Sequence, residues 1–131
     1  MKQIFIESTS KTPSINLDPK KGLIEIKGRS IPENAGNFYR RFIFWLKDYS
    51  HNPQEKTKVN ILLEYLNTDT HKYILDMLDE IKQIHLGGNE IEIKWFYEEY
   101  DEDIKGIGEE YAKITDLPFK FIKVEEMDFL K

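Results

Sequence analysis

The sequence contains no cysteine. Disulfide bonds, thiol nucleophiles and thiolate metal sites are therefore excluded. It also has no uninterrupted apolar run near the ~20 residues that a membrane-spanning helix needs. The opening residues MKQIFIE lack the apolar stretch of a signal peptide. We therefore expect a cytoplasmic protein with no membrane segment.

Basic residues are outnumbered, with 19 Lys and Arg against 24 Asp and Glu and a formal net charge of −5. A protein that binds nucleic-acid phosphates would need a basic stripe, so we expect no nucleic-acid partner. Hydrophobic residues make up 40% of the chain and charged residues 33%, which is typical of a globular protein rather than a disordered one. The length predicts a single domain over residues 1–131.

Motifs of catalysis and nucleotide binding are also missing. The chain has no G-x-S-x-G, no G-x-x-x-x-G-K and no G-x-G-x-x-G sequence. His51, His71 and His85 have no second ligand-type residue at helical or turn spacing, so we expect structural roles for them. The sequence therefore predicts no catalytic residue, no cofactor and no metal. A pocket lined by His71, Tyr73 and acidic residues would favour an enzyme instead.

Hydrophobic periodicity predicts five strands, at residues 3–7, 23–27, 59–66, 90–97 and 119–124. Three helices are predicted between the later strands. The order β-β-α-β-α-β-α-β predicts a single α/β domain with a mostly parallel sheet and an edge strand from the N-terminus. The nearly continuous apolar run at 59–66 predicts a central strand that is covered on both faces.

Apolar residues at helical spacing define one stripe on each predicted helix. The first helix follows the start signal at residues 30–34, the second ends at Gly87 and Gly88, and the third spans 103–115. The stripe residues are Phe38, Phe42, Trp45, Leu46 and Tyr49, then Ile74, Met77, Leu78, Ile81 and His85, then Ile104, Ile107, Tyr111 and Ile114.

The acidic run at residues 98–103 precedes the third predicted helix. Its carboxylates could meet a basic partner or hold a cation. They also complement the positive end of that helix, so a solvated loop is the preferred interpretation.

The segment Asn67-Thr68-Asp69-Thr70 joins the predicted central strand to the second helix. All four residues favour helix caps or turns. The free backbone N–H groups at a helix start favour an anion, and a phosphate on Thr68 would bring nearly two negative charges there. The same hydroxyl could simply cap the helix. The residue types alone leave both interpretations open.

Read end to end, the chain resembles the SiaC family of bacterial regulatory phosphoproteins. The resemblance rests on the order and spacing of several short elements rather than on any one of them. These elements are Ser10-Lys11-Thr12-Pro13, Gly28-Arg29-Ser30-Ile31-Pro32-Glu33-Asn34, Tyr65-Leu66-Asn67-Thr68, Gly87-Gly88, Ile93-Lys94-Trp95-Phe96-Tyr97, Gly108-Glu109-Glu110-Tyr111 and Pro118-Phe119.

In that family the threonine of the Leu-Asn-Thr element is the phosphoacceptor, which the resemblance assigns to Thr68. The resemblance also implies a Ser/Thr protein kinase of the anti-sigma-factor type and a PP2C-like phosphatase. The unphosphorylated form is implied to bind a diguanylate cyclase, which places the protein in cyclic-di-GMP signalling and biofilm regulation. The predicted element order is also similar to that of STAS domains, the anti-sigma-factor-antagonist fold, which carry a phosphoacceptor hydroxyl at the same corner.

The two residues that follow this threonine differ from the family, in which small serines are common at these positions. Asp69 adds a like charge beside the implied phosphate, and Thr70 offers a second hydroxyl, so the modified residue is either Thr68 or Thr70. Lys72 and the first-turn amides are the nearest compensating groups.

We therefore expect a docking face at this corner that phosphorylation switches. It comprises Thr68 with Asn67, Asp69, Thr70 and Lys72, and extends to Asp76 and Asp79. The alternative is a constitutive protein-binding or scaffold domain in which Thr68 is a plain cap and is never modified.

Overall fold

The computed structural model describes residues 1–127. Its strands are β1 (Ile4–Ile6), β2 (Ser14–Asp18), β3 (Leu23–Ser30), β4 (Lys56–Leu66), β5 (Glu90–Glu98) and β6 (Phe119–Val124), and its helices are α1 (Ala35–His51), α2 (Thr68–Leu86) and α3 (Glu102–Thr115). The five predicted strands and three predicted helices are present. The structure adds one strand, β2, to the predicted order.

Strand β2 was not predicted because turn-favouring residues lie at both of its ends. Pro13 precedes it, and its last residue, Asp18, is followed by Pro19 at the start of a turn, so only a short alternating segment lies between the two prolines. β2 pairs antiparallel with both β1 and β3. Its inward residues Ile15 and Leu17 are fully buried, which shows that it belongs to the core.

The sheet has the strand order β1-β2-β3-β4-β5-β6. Strands β3 to β6 are parallel neighbours, whereas β1, β2 and β3 are antiparallel neighbours, so the sheet is mixed. The predicted position of the N-terminal strand at a sheet edge is confirmed. The likeness to STAS domains stays a prediction.

The three helices pack on one face of the sheet. Buried residues of all three helices and of the strands form one hydrophobic cluster. Along β4, Val59, Ile61 and Leu63 are buried, while Asn60 and Leu62 between them remain partly exposed. The prediction that this strand is covered on both faces is therefore wrong, and its apolar run continues onto the open face of the sheet.

The helix stripes are confirmed except at the last predicted positions of α2 and α3. His85 and Ile114 are exposed, and the neighbouring Ile84 and Thr115 are buried instead. Both exceptions lie in the final turn of their helices, where the helix passes the edge of the core. No helix within residues 1–127 is long and apolar enough to cross a membrane.

The acidic run at residues 98–103 ends β5 and begins α3. The Asp101 side chain accepts a hydrogen bond from the Ile104 amide at 3.1 Å, so Asp101 is the N-cap of the helix. Glu102 and Asp103 lie in the first turn, where carboxylates stabilise a helix. The interpretation of this run as a solvated segment at a helix start agrees with these contacts.

Helix α3 approaches the sheet closely at Gly108. Trp95 of β5 is fully buried, and its Nε1 donates to the Ile104 carbonyl at 2.9 Å. A Cβ atom built on Gly108 would lie 2.5 Å from Cδ1 and Nε1 of that indole ring. The absence of a side chain at Gly108 therefore sets the distance between α3 and β5.

We predict that Gly108→Ala destabilises the protein by about 2 kcal/mol, because the indole ring is enclosed and cannot move away. Gly106→Ala in the same helix is the matched control. An added Cβ there meets nothing within 4 Å, so it should stabilise the protein by about 1 kcal/mol through helix propensity. Urea unfolding of both variants measures the difference. Equal free energies of unfolding for the two variants would contradict the close approach of α3 to β5 at Gly108.

Candidate functional site

The predicted corner lies where β3 and β4 end side by side. The two strands are parallel, and their last paired residues are Ser30 and Leu66. Helix α1 begins a few residues after Ser30, and α2 begins directly after Asn67. The Asn67 amide donates to the Ser30 carbonyl at 2.9 Å, which extends the strand pairing to the start of α2. The amino ends of two helices therefore lie at one edge of the sheet.

Both helix starts have asparagine caps. Asn34 Oδ1 accepts from the Asn37 amide at 3.1 Å, and Asn67 Oδ1 accepts from the Thr70 amide at 3.1 Å. Asn67 also donates from Nδ2 to the Pro32 carbonyl at 3.3 Å. Since the cap of α2 is Asn67, the plain-cap role proposed for the Thr68 hydroxyl is not needed. Thr68 is the first residue of the helix and is exposed.

A cleft of about 310 Å³ opens between the two helix starts. It is lined by Glu33, Asn34, Ala35, Gly36, Thr68, Asp69, Lys72 and Tyr73. The backbone N–H groups in the first turn of a helix lack intrahelical partners, so this cleft has a positive backbone potential from two sides. The Thr68 side chain is thus placed where an anion is favoured.

Charged side chains of both signs surround the cleft. Glu33 and Asp69 line it, and Glu33 pairs with Lys11 at 3.3 Å in an exposed contact. Lys72 lies with its Nζ 5.4 Å from the centre of the Tyr73 ring. A Cβ atom on Gly36 would lie 2.9 Å from both the Arg40 guanidinium and the Tyr73 hydroxyl. Lys72 therefore shares the cleft with Thr68, and the Arg40 guanidinium lies beside Gly36, which also lines the cleft.

The second threonine of the corner is inaccessible. Thr70 is fully buried. Its hydroxyl lies 2.7 Å from Asn67 Oδ1 and 2.8 Å from Ser30 Oγ, and Ser30 Oγ lies 2.6 Å from the Tyr39 hydroxyl. We call these four side chains the hydroxyl chain, which comprises Tyr39, Ser30, Thr70 and Asn67. Burial raises the pKa of Tyr39 well above its usual range, so this group is protonated at physiological pH.

The structure brings some of the predicted site residues together and separates others. Asn67 caps α2, Thr68, Asp69 and Lys72 line the cleft, and Thr70 lies beneath it. Of the extended docking face, Asp79 is exposed and Asp76 is partly exposed. Sequence reasoning did not assign Ser30, Gly36, Tyr39 and Arg40 to the site. Their positions depend on contacts across the sheet edge rather than on any local pattern.

The cleft between the two helix starts is not the pocket that would favour an enzyme. Tyr73 lines the cleft with two carboxylates, but His71 does not line it. The Nδ1 atom of His71 is instead hydrogen-bonded to the Tyr111 hydroxyl of α3 at 2.5 Å. Burial of that hydroxyl is the main reason that the pKa of Tyr111 is well above its usual range. Within residues 1–127, no three His, Asp or Glu side chains are grouped to hold a metal ion.

Comparison with known proteins identifies relatives that match nearly the whole chain. The sequence model of a family described as SiaC family regulatory phosphoprotein matches residues 6–124. An uncharacterized protein of Pseudomonas aeruginosa strain UCBPP-PA14 is 29% identical over 119 residues, which are 91% of this chain and 94% of that protein.

Two crystal structures from Pseudomonas aeruginosa share the fold. One is SiaC as the activator in a complex with the diguanylate cyclase SiaD, with a TM-score of 0.86 and 28% identity over 92% of this chain and 99% of that one. The other is apo-SiaC, with a TM-score of 0.84 and 28% identity over 93% of this chain and 99% of that one. The structural similarity therefore extends over more than nine-tenths of this chain.

We predict that Asn67→Ala destabilises the protein by about 2 kcal/mol, because it removes hydrogen bonds to the Thr70 amide, the Thr70 hydroxyl and the Pro32 carbonyl. Asn34→Ala is the comparison variant. Asn34 is exposed and its side chain accepts one bond, from the Asn37 amide, so its loss should cost about 1 kcal/mol or less. Thermal unfolding of both variants gives the two values. A larger loss at Asn34 would show that the Asn67 contacts contribute little.

Proposed function

The chain belongs to the SiaC family of regulatory phosphoproteins, and from that premise we propose that it is a cytoplasmic switch that binds and activates a diguanylate cyclase until Thr68 is phosphorylated. Its role is regulatory, as the family description states, and we propose no catalytic activity for it. The observation that carries the proposal is the match to SiaC bound to its cyclase, which extends over 99% of that chain. The output of the switch would be cyclic-di-GMP signalling.

The position of Thr68 supports its role as the phosphoacceptor. It is exposed at the first position of α2, and its hydroxyl is not required as a cap because Asn67 fills that position. Thr70 is fully buried and is therefore closed to a kinase in the folded state. Of the two threonines that the sequence left open, the geometry favours Thr68.

A phosphate on Thr68 is compatible with the folded protein. The first-turn amides of both helices and Lys72, which lines the cleft with Thr68, would offset its charge, although Asp69 opposes it. The fold should therefore survive phosphorylation, and the effect should fall on the surface. In the proposed switch, a partner that packs over the cleft meets nearly two added negative charges and added bulk.

The binding free energy that phosphorylation would cost is large enough for a switch. A buried interfacial charge without a partner costs on the order of 2–5 kcal/mol. Each 1.4 kcal/mol is about a tenfold change in affinity. Phosphorylation of Thr68 would therefore weaken the complex by well over tenfold. We propose that a Ser/Thr kinase of the anti-sigma-factor type adds the phosphate and a PP2C-like phosphatase removes it, as the family resemblance implies.

We predict that Thr68→Glu lowers the affinity for the diguanylate cyclase of the same host at least tenfold. Thr68→Ala should bind and activate the cyclase like the wild type and should carry no phosphate after incubation with the kinase. Isothermal titration measures binding, and site-mapped phosphopeptide analysis of protein from the native host locates the phosphate.

The control for added charge is Gln83→Glu, which introduces a carboxylate on an exposed position of the same helix near its other end. Its cyclase affinity should match that of the wild type. Equal affinities of Thr68→Glu and Gln83→Glu for the cyclase would show that the docking face does not include this corner. Protein that binds the cyclase but never carries phosphate on Thr68 would be a constitutive binding domain.

A further inference from the structure

Two threonines of the corner differ completely in environment although one residue separates them. Thr68 is exposed, whereas Thr70 is fully buried within the hydroxyl chain. One of the contacts that enclose Thr70 comes from Ser30, which is 40 residues away in the sequence. The accessibility of Thr70 therefore depends on the pairing of distant segments and not on the local helix alone.

The hydrogen atoms of the hydroxyl chain have one consistent arrangement. Asn67 Oδ1 accepts from the Thr70 amide, which fixes the orientation of the Asn67 side chain and makes this oxygen an acceptor only. The Thr70 hydroxyl donates to Asn67 Oδ1 at 2.7 Å, and the Ser30 carbonyl is a second, longer acceptor at 3.3 Å. Ser30 in turn donates to Thr70, and Tyr39 donates to Ser30. This is the one assignment that places a hydrogen in each of the three oxygen–oxygen contacts.

The arrangement links the cap of α2 to α1. Asn67 Oδ1 accepts from both the amide and the hydroxyl of Thr70. The Ser30 carbonyl also accepts from the Asn67 amide at 2.9 Å. To expose Thr70, the first turn of α2 must open and break all of these bonds together. Fully satisfied buried networks of this kind stabilise one local conformation.

We propose that the hydroxyl chain restricts phosphorylation to Thr68 by keeping the first turn of α2 closed around Thr70, with Ser30 and Tyr39 as positioning residues. The proposal rests on the proposed phosphoswitch. Ser30 and Tyr39 do not touch the phosphate or the partner in this scheme. They determine which of two nearby hydroxyls a kinase can reach.

Ser30→Ala tests the proposal because it interrupts the chain between Tyr39 and Thr70. The variant and the wild type are incubated with ATP and the anti-sigma-factor-type kinase of the same host, and phosphate on Thr68 and Thr70 is quantified separately by mass spectrometry. We expect the ratio of Thr70 to Thr68 phosphate to rise about tenfold in the variant. Amide exchange at Thr70 should also become about tenfold faster, because opening of the first turn becomes more frequent.

A matched control is available at the other end of α1. The buried Tyr49 hydroxyl is hydrogen-bonded to Thr57 Oγ1 at 2.8 Å, as the Tyr39 hydroxyl is to Ser30. Tyr39→Phe should raise the Thr70 to Thr68 ratio, whereas Tyr49→Phe should leave it unchanged even where the global stability falls equally. The conservative Thr70→Ser variant retains the hydroxyl, and position 70 should remain unphosphorylated in it.

The outcomes separate this inference from the proposed function. If wild-type protein acquires no phosphate on either threonine, the phosphoswitch fails and the selection of Thr68 fails with it. If the wild type is phosphorylated on Thr68 and Ser30→Ala shows an unchanged ratio and unchanged amide exchange, the hydroxyl chain has no role in selection. An equal rise in the ratio for Tyr39→Phe and Tyr49→Phe would also overturn the proposal, because it would reflect stability alone.

Discussion

The parallel pairing of β3 with β4 is the constraint on which the site depends. The pairing continues to Ser30 and Leu66 and is extended by the bond from the Asn67 amide to the Ser30 carbonyl. Because both strands end at the same edge, the helices that follow them must also begin there. The cleft, its two helix starts and the position of Thr68 all follow from that single register.

The same pairing separates surface from core within a very short segment. A helix places consecutive residues about 100° apart, so Thr68 and Thr70 lie on opposite sides of the first turn. The side that faces Ser30 and Tyr39 becomes a satisfied polar network below the cleft. Every buried side-chain nitrogen and oxygen in the described part of the chain has a hydrogen-bond partner. The polar corner therefore costs the fold little, although it lies beside the hydrophobic core.

Much of the fold could be predicted from local sequence patterns, and the exceptions have physical causes. Helices α1 and α2 were predictable because apolar stripes such as Phe42, Leu46 and Tyr49 repeat at helical spacing. Strand β2 was not, since prolines on both sides of a five-residue segment favour turns. The apolar run of β4 predicted, wrongly, that both faces of this strand are covered. Strands β3 to β6 lie in the sheet in the order of the chain, and right-handed crossovers between such strands place all three helices on the same face.

The candidate site was only partly predictable for a related reason. Helix-capping preferences located the corner at residues 67–70, because those preferences are local. They could not rank Thr68 above Thr70, since both are hydroxyl residues near a helix start. Ser30 and Tyr39 distinguish the two, and they meet Thr70 only after the sheet and α1 have formed. Long-range contacts of this type have no signature in the spacing of one sequence.

The rigidity of the corner determines what kind of switch it can support. Asn67, Thr70 and Ser30 form a closed set of hydrogen bonds beneath Thr68, and the buried Tyr39 stacks on Tyr73 with ring centres 6.1 Å apart. A phosphate at an exposed first-turn position does not need to break any of these contacts. The proposed switch therefore acts by changing the charge and shape of a preformed surface, not by refolding it. Such a mechanism suits a small protein with one core, because a movement large enough to hide a docking face would disturb the same residues that stabilise the fold.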